Sequence, residues 1–204
     1  MIALFGLLAA GLILLTGTGG VEPGEYPHSH SLAAEVHEEL VGRPHIVEIP
    51  DINEPAEFTY AVWVYPRDLS SGQTVLGRSD FNEARNQRIM IGQVASNSLE
   101  FVVFDGGNNN SAAIPSSKLT TGQWHHVTVT YSKSSGDAAI YLNGEGPEGT
   151  FSAVTQGADI SNMIIGAIYN GGSDQGHFDG IIDDFRYFPQ RLTGSEILDL
   201  YNTY

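Results

Sequence analysis

The stretch that most limits what this chain can fold into runs from Gly166 to Tyr201. It reads Gly166-Ala-Ile-Tyr-Asn-Gly-Gly, then His177-Phe-Asp-Gly-Ile-Ile-Asp-Asp-Phe-Arg-Tyr-Phe, then Leu192-Thr-Gly-Ser-Glu-Ile-Leu-Asp-Leu-Tyr. The order is an apolar strand, a glycine-rich loop, a second strand carrying an Asp pair, a turn and one short helix. β-Branched and aromatic residues in such short runs suit a pleated, half-buried surface. Alternation along the second strand predicts Asp183 and Asp184 on opposite faces. Thr193 or Ser195 can cap the helix, with Ile197, Leu198 and Tyr201 as its expected buried face.

The same texture extends upstream. Phe58-Thr-Tyr-Ala-Val-Trp-Val-Tyr-Pro is a strand ended by proline, and its apolar flanks predict a mostly buried Trp63. Thr74-Val-Leu-Gly, Arg88-Ile-Met-Ile-Gly and Leu99-Glu-Phe-Val-Val-Phe follow, parted by Ser-, Asn- and Gly-rich turns. Trp124-His-His-Val-Thr-Val-Thr-Tyr alternates, with Trp124, His126, Thr128 and Thr130 on one face; one of His125 and His126 is expected in the core. Ala138-Ala-Ile-Tyr-Leu-Asn-Gly closes on a hairpin turn. Many short strands with regularly spaced turns predict an all-β, two-sheet antiparallel sandwich with one short C-terminal helix.

Three of these segments, in this order, resemble the laminin-G-like, concanavalin A-like jelly-roll family. The early pair Val47-Glu-Ile-Pro-Asp and Phe58 to Pro66 is similar to its opening strands. Gly122-Gln-Trp-His-His-Val-Thr-Val-Thr-Tyr with Ile140-Tyr-Leu-Asn-Gly is similar to its central hairpin, and Phe178 to Tyr201 to its closing strand and helix. The resemblance covers about residues 46–202 and implies a jelly roll. It implies function far less, because one fold hosts lectins, glycanases and adhesion modules. The family opens with a strand and a calcium-ligating loop; residues 20–45 show no such loop, and His28, His30 and His37 stand there instead.

Composition removes several functions. Among 204 residues there are 24 acidic and 9 basic, a formal charge of −15, and no cysteine. Disulfides, thiolate metal sites and a Cys nucleophile are excluded. Such a charge repels phosphate backbones, which argues against nucleic acid as a partner.

Met1 to Thr16 is apolar and carries no side-chain charge. Residues 1–18 read as a hydrophobic anchor or uncleaved signal, spanning roughly 27 Å as a helix. Gly6 and Ala10 offer a small-residue face for packing in a bilayer. Residues 19–45 read as an extended connector, with a short helix possible from Ser31 to Val41, and residues 46–204 as the jelly-roll domain. The expectation is a membrane-anchored domain on the periplasmic or extracellular side.

Candidate sites come next. Calcium needs six to eight oxygens. The resemblance implies Asp183 or Asp184 as one ligand, and Asp179, Asp174 and Asp105 lie in loops that can bring others. A sugar site needs aromatics with amides and carboxylates. Asp105, Asn108 and Asn109 in one loop, and Tyr169, Asn170, Asp174 and His177 in another, supply those groups. The plainer alternative is that both are ordinary hairpin loops, since Gly, Asn and Asp tolerate positive φ. Glycanases place paired carboxylates about one scissile bond. No such alternate-residue run occurs, nor a nucleophile elbow. The expectation is therefore a non-catalytic binding or structural module, an accessory subunit docked to membrane proteins through residues 1–45. The alternative is a secreted lectin-like carbohydrate-binding module.

Overall fold

The computed structural model describes residues 30–31, 47–49, 56–70, 72–79, 85–92, 97–105, 108–152, 163–170 and 173–203. The strands are β1 (His30–Ser31), β2 (Val47–Ile49), β3 (Glu57–Pro66), β4 (Gln73–Ser79), β5 (Arg85–Ile91), β6 (Leu99–Asp105) and β7 (Asn108–Ile114). They continue with β8 (His125–Ser132), β9 (Ala138–Leu142), β10 (Glu145–Phe151), β11 (Met163–Ile165), β12 (Ile168–Asn170), β13 (Ser173–Gln175) and β14 (Gly180–Phe188), and α1 (Gly194–Asn202) follows. One sheet has the order β1-β14-β3-β8-β9-β10 and the other β2-β11-β4-β5-β6-β7, with β12-β13 as a separate ribbon. Each ladder is antiparallel. The all-β sandwich with one short C-terminal helix is as the strand pattern predicts.

Alternation fixes the register. Phe58, Tyr60, Val62 and Val64 of β3 point inward with Val127, Val129 and Tyr131 of β8, and meet Leu76, Ile89, Leu99, Phe101 and Val103 of the facing sheet. Arg78 is also buried; its Nη1 donates to the Tyr60 hydroxyl at 3.4 Å, which in turn donates to Gln87 at 3.5 Å. A guanidinium in an interior is tolerated only with such partners.

Two expectations about the closing motif change. Asp183 pairs with Trp63 and Arg186 with Ala61, so three steps along β14 match two along β3. The extra residue is Asp184, at φ 43. Strict alternation from Ile182 would have aimed Asp184 and Arg186 into the core. The bulge resets the phase, so Ile182, Phe185 and Tyr187 all point inward. Asp183 and Asp184 therefore do not occupy opposite faces of a regular strand. The helix face shifts too. Thr193 makes a capping box, accepting from the Glu196 amide at 3.3 Å while the Glu196 carboxylate accepts from the Thr193 amide at 2.7 Å. From that start Ile197 and Leu200 turn inward against Ala61, Phe188 and Leu192, and Leu198 is 43% exposed.

The N-terminal expectations fall mostly outside the described residues: the anchor at 1–18, His28, His37 and residues 32–41 of the connector helix. Ser31, the first residue of that expected helix, instead pairs with Arg186 as part of β1, beside His30 opposite Tyr187. Among the described residues no helix is long and apolar enough to cross a membrane.

Candidate functional site

The inner face of the β3 sheet is closed by its partner sheet. Its outer face is divided. The middle is covered by α1, and beyond the helix two rows of side chains cross the strands. In the first row Asp183, Trp63 and His126 stand abreast on β14, β3 and β8. The Trp63 and His126 rings lie 5.0 Å apart, and Tyr201 of α1 stands 5.7 Å from Trp63 and 5.9 Å from His126. Trp63 is mostly buried, as its apolar flanks predict, with this aromatic roof covering it on the outer face of the sheet. Both His125 and His126 are buried, where one was expected. Burial, and then the Arg186 guanidinium, lower the His126 pKa from 6.5 to about 4.

The second row sits at the end of the sheet. Ile181 pairs with Tyr65 across β14 and β3. Trp124, just before β8, packs its ring 5.5 Å from Tyr65 at 60°. Trp124 is 42% exposed, and with Leu198 it is one of two exposed large apolar side chains among the described residues. Its position is fixed. The preceding Gly122 has φ +72, which favours glycine, and donates its amide to the Pro66 carbonyl at 2.8 Å. Thr120 is tied back to the buried His125 ring, 3.0 Å from carbonyl to Nε2.

A polar rim continues from this row. The Arg67 amide donates to the Asp179 carbonyl at 2.9 Å, and the Asp179 amide to Gln73 Oε1 at 2.8 Å. Gln73 Nε2 reaches Asp68 at 3.2 Å. Ser70 donates a short hydrogen bond to Asp68 and holds its carboxyl below the usual carboxylate range. Chemically, an exposed indole edged by hydrogen-bonding side chains suits a ligand that is flat and apolar on one side and polar around its edge.

The residues predicted from sequence separate. His177 and Asp179 lie at this end; His177 bridges Thr74, and its Nδ1 is buried without a hydrogen-bond partner among the described residues. Asp105 pairs with Asn108, and Asn109 with Phe104, at the far end of the other sheet, six residues along β6 from Leu99 and so roughly 20 Å away. Tyr169 pairs with Asp174, beside Asn170, on the β12-β13 ribbon. Asp105, Asn108 and Asn109 thus stand at the opposite end of their sheet from Leu99 and Gln73, whereas His177 and Asp179 lie at the Gln73 end. Trp124 was placed on its strand by the sequence but not singled out.

The calcium expectation meets the same separation. Arg186 Nε donates to both Asp184 oxygens at 3.1 Å, and Asp183 accepts from the Asp184 amide at 2.8 Å. Asp179 lies four residues before Asp183, roughly 13 Å along an extended chain. Among the described residues no three of His, Cys, Asp or Glu come together as a metal site.

With this geometry, residues 45–198 match the family model described as the concanavalin A-like lectin/glucanases superfamily. The chain belongs to that superfamily. C-reactive protein 1.4 of Limulus polyphemus is 24% identical over 160 residues, 78% of this chain and 62% of that protein, so the match spans less than two thirds of the relative. Domain 4 of the Geobacillus stearothermophilus arabinanase AbnA, solved with arabinotriose, has a TM-score of 0.58 at 21% identity, covering 83% of this chain and 81% of that one. The Ruminococcus gnavus sialidase CBM40 bound to α2,3 sialyllactose gives 0.57 at 16%, covering 72% and 83%. At these identities the superfamily likeness is one of fold.

Proposed function

We propose that this is a non-catalytic, lectin-like carbohydrate-binding domain displayed outside the cytoplasm. The observation that carries it is Trp124, an exposed indole held on a rigid turn and braced by Tyr65. Its free indole face is flat and apolar, the surface on which a sugar ring can stack, and the hydrogen-bonding rim beside it suits the ring's hydroxyl groups. Two superfamily folds of the same outline were solved with oligosaccharides, which supports glycan as the ligand class. A screen of the purified chain against immobilised oligosaccharides tests this; retention of none above a non-binding control protein contradicts it.

A second reading is favoured by the apolar run Met1 to Thr16: residues 1–18 anchor the domain in a lipid bilayer, and residues 1–45 dock it to membrane proteins as an accessory subunit. The mass of the native protein separates the two. Retention of Met1 supports the anchor, and a start near residue 20 supports secretion.

A further inference from the structure

We infer that the second row of the outer face is the glycan subsite, and that it takes a neutral rather than a sialylated or otherwise anionic chain. The inference rests on the lectin-like reading and adds a place and a selectivity to it.

The place follows from rigidity and exposure together. Ile181 on β14, Tyr65 on β3 and Trp124, just before β8, form one apolar strip, and Trp124 is its most exposed member. The turn beneath it is pinned twice, at Gly122 to Pro66 and at Thr120 to His125. A sugar ring stacking there meets a surface that need not order itself on binding, which lowers the entropic cost. Around the strip, exposed Arg67 and Gln123 offer donors, and exposed Asp179 offers acceptors for hydroxyl groups. Leu198, the other large apolar side chain exposed among the described residues, sits on α1 over Gly144, beside the helix-covered half of the face.

The selectivity follows from charge. Asp179 stands just before β14 beside the strip, Asp68 is joined to it through Gln73, and Arg67 is the cation of this linked rim. Asp183 lies in the next row, and the chain as a whole carries −15. A terminal carboxylate on the ligand would approach like charges, which lowers both encounter rate and affinity, and does so most at low salt.

The experiment uses the full chain on an array of neutral oligosaccharides, arabinotriose and lactose among them, with sialylated counterparts such as α2,3-sialyllactose. The tightest neutral chain then goes to calorimetry with the wild type, Trp124→Phe and Trp124→Ala. Neutral chains should bind, Trp124→Ala should weaken binding at least tenfold while the variant stays folded with a cooperative melt, and Trp124→Phe should lie between. The sialylated counterpart should bind several-fold more weakly at 20 mM salt, with the gap narrowing at 300 mM as the Debye length falls from roughly 20 Å to roughly 6 Å. Wild-type affinity in folded Trp124→Ala overturns the place and leaves the lectin reading standing. Equal or tighter binding of the sialylated chain overturns the selectivity. Binding of no glycan overturns both the inference and the reading beneath it.

Discussion

The helix-covered and open halves of one sheet face differ in a single respect, a nine-residue helix. Under α1, Ala61, Phe188, Leu192, Ile197 and Leu200 form a second small core, sealed from water. Past the helix end, Trp63 keeps a partial roof in Tyr201, and Tyr65 and Trp124 have none from α1. The same alternation of β3 and β8 produces both halves. What lies over a residue, not its strand position, decides whether its apolar surface stabilises the fold or remains available to a ligand.

The largest effect should come from the covered half. Leu200→Ala or Ile197→Ala removes a fully buried side chain and should cost about 2–5 kcal/mol in urea unfolding. A cost below about 1 kcal/mol would mean the helix is not holding that face shut.

The border between the halves should respond to pH through His126. Its folded pKa, about 4, lies below the ordinary 6.5 because burial and Arg186 disfavour the cation. Between those values the unfolded chain binds the extra proton, so this contribution is fully present above pH 6.5 and is lost as pH falls toward 4. The loss is at most about 3 kcal/mol. Its neighbours across the packing are Arg186, Asp184, Asp183, Trp63 and Tyr201. Melting temperatures of wild type and His126→Gln from pH 7 to pH 4.5 should converge as pH falls; parallel curves would contradict the buried neutral imidazole.

A smaller effect is expected at the helix start. Thr193→Ala removes the capping box and should cost about 1 kcal/mol by thermal melting. Trp124→Ala should likewise cost about 1 kcal/mol, because the ring is 42% exposed but packs edge-on against Tyr65.

Much of the covered half was legible in the sequence. Strand content, the Asn143-Gly144 turn and Thr193 as cap rest on local chemistry that tertiary context left in place. The bulge was less visible, yet its signal is printed in Ile182-Asp-Asp-Phe185: two core residues three apart cannot both face inward on a regular strand. Leu198 was misassigned because helical spacing gives a stripe but not which edge of it meets the sheet. The open half was hardly legible. Trp124 shares a face with His126, Thr128 and Thr130, and those three are buried while it is exposed. Nothing local distinguishes them; the end of α1 does. The loops rich in Asn, Asp and Gly drew attention to composition, whereas the length of β6 sets Asp105 and its neighbours at a distance from His177 and Asp179.

The chain has two tryptophans, Trp63 and Trp124, which allows the central claim to be read directly. In Trp63→Phe, all tryptophan emission comes from Trp124. Acrylamide quenching of that variant, with and without the tightest neutral oligosaccharide at saturation by calorimetry, measures whether ligand covers the open half. The account predicts ready quenching in the free protein and clear protection in the complex. Unchanged quenching while calorimetry shows the sugar bound would contradict it.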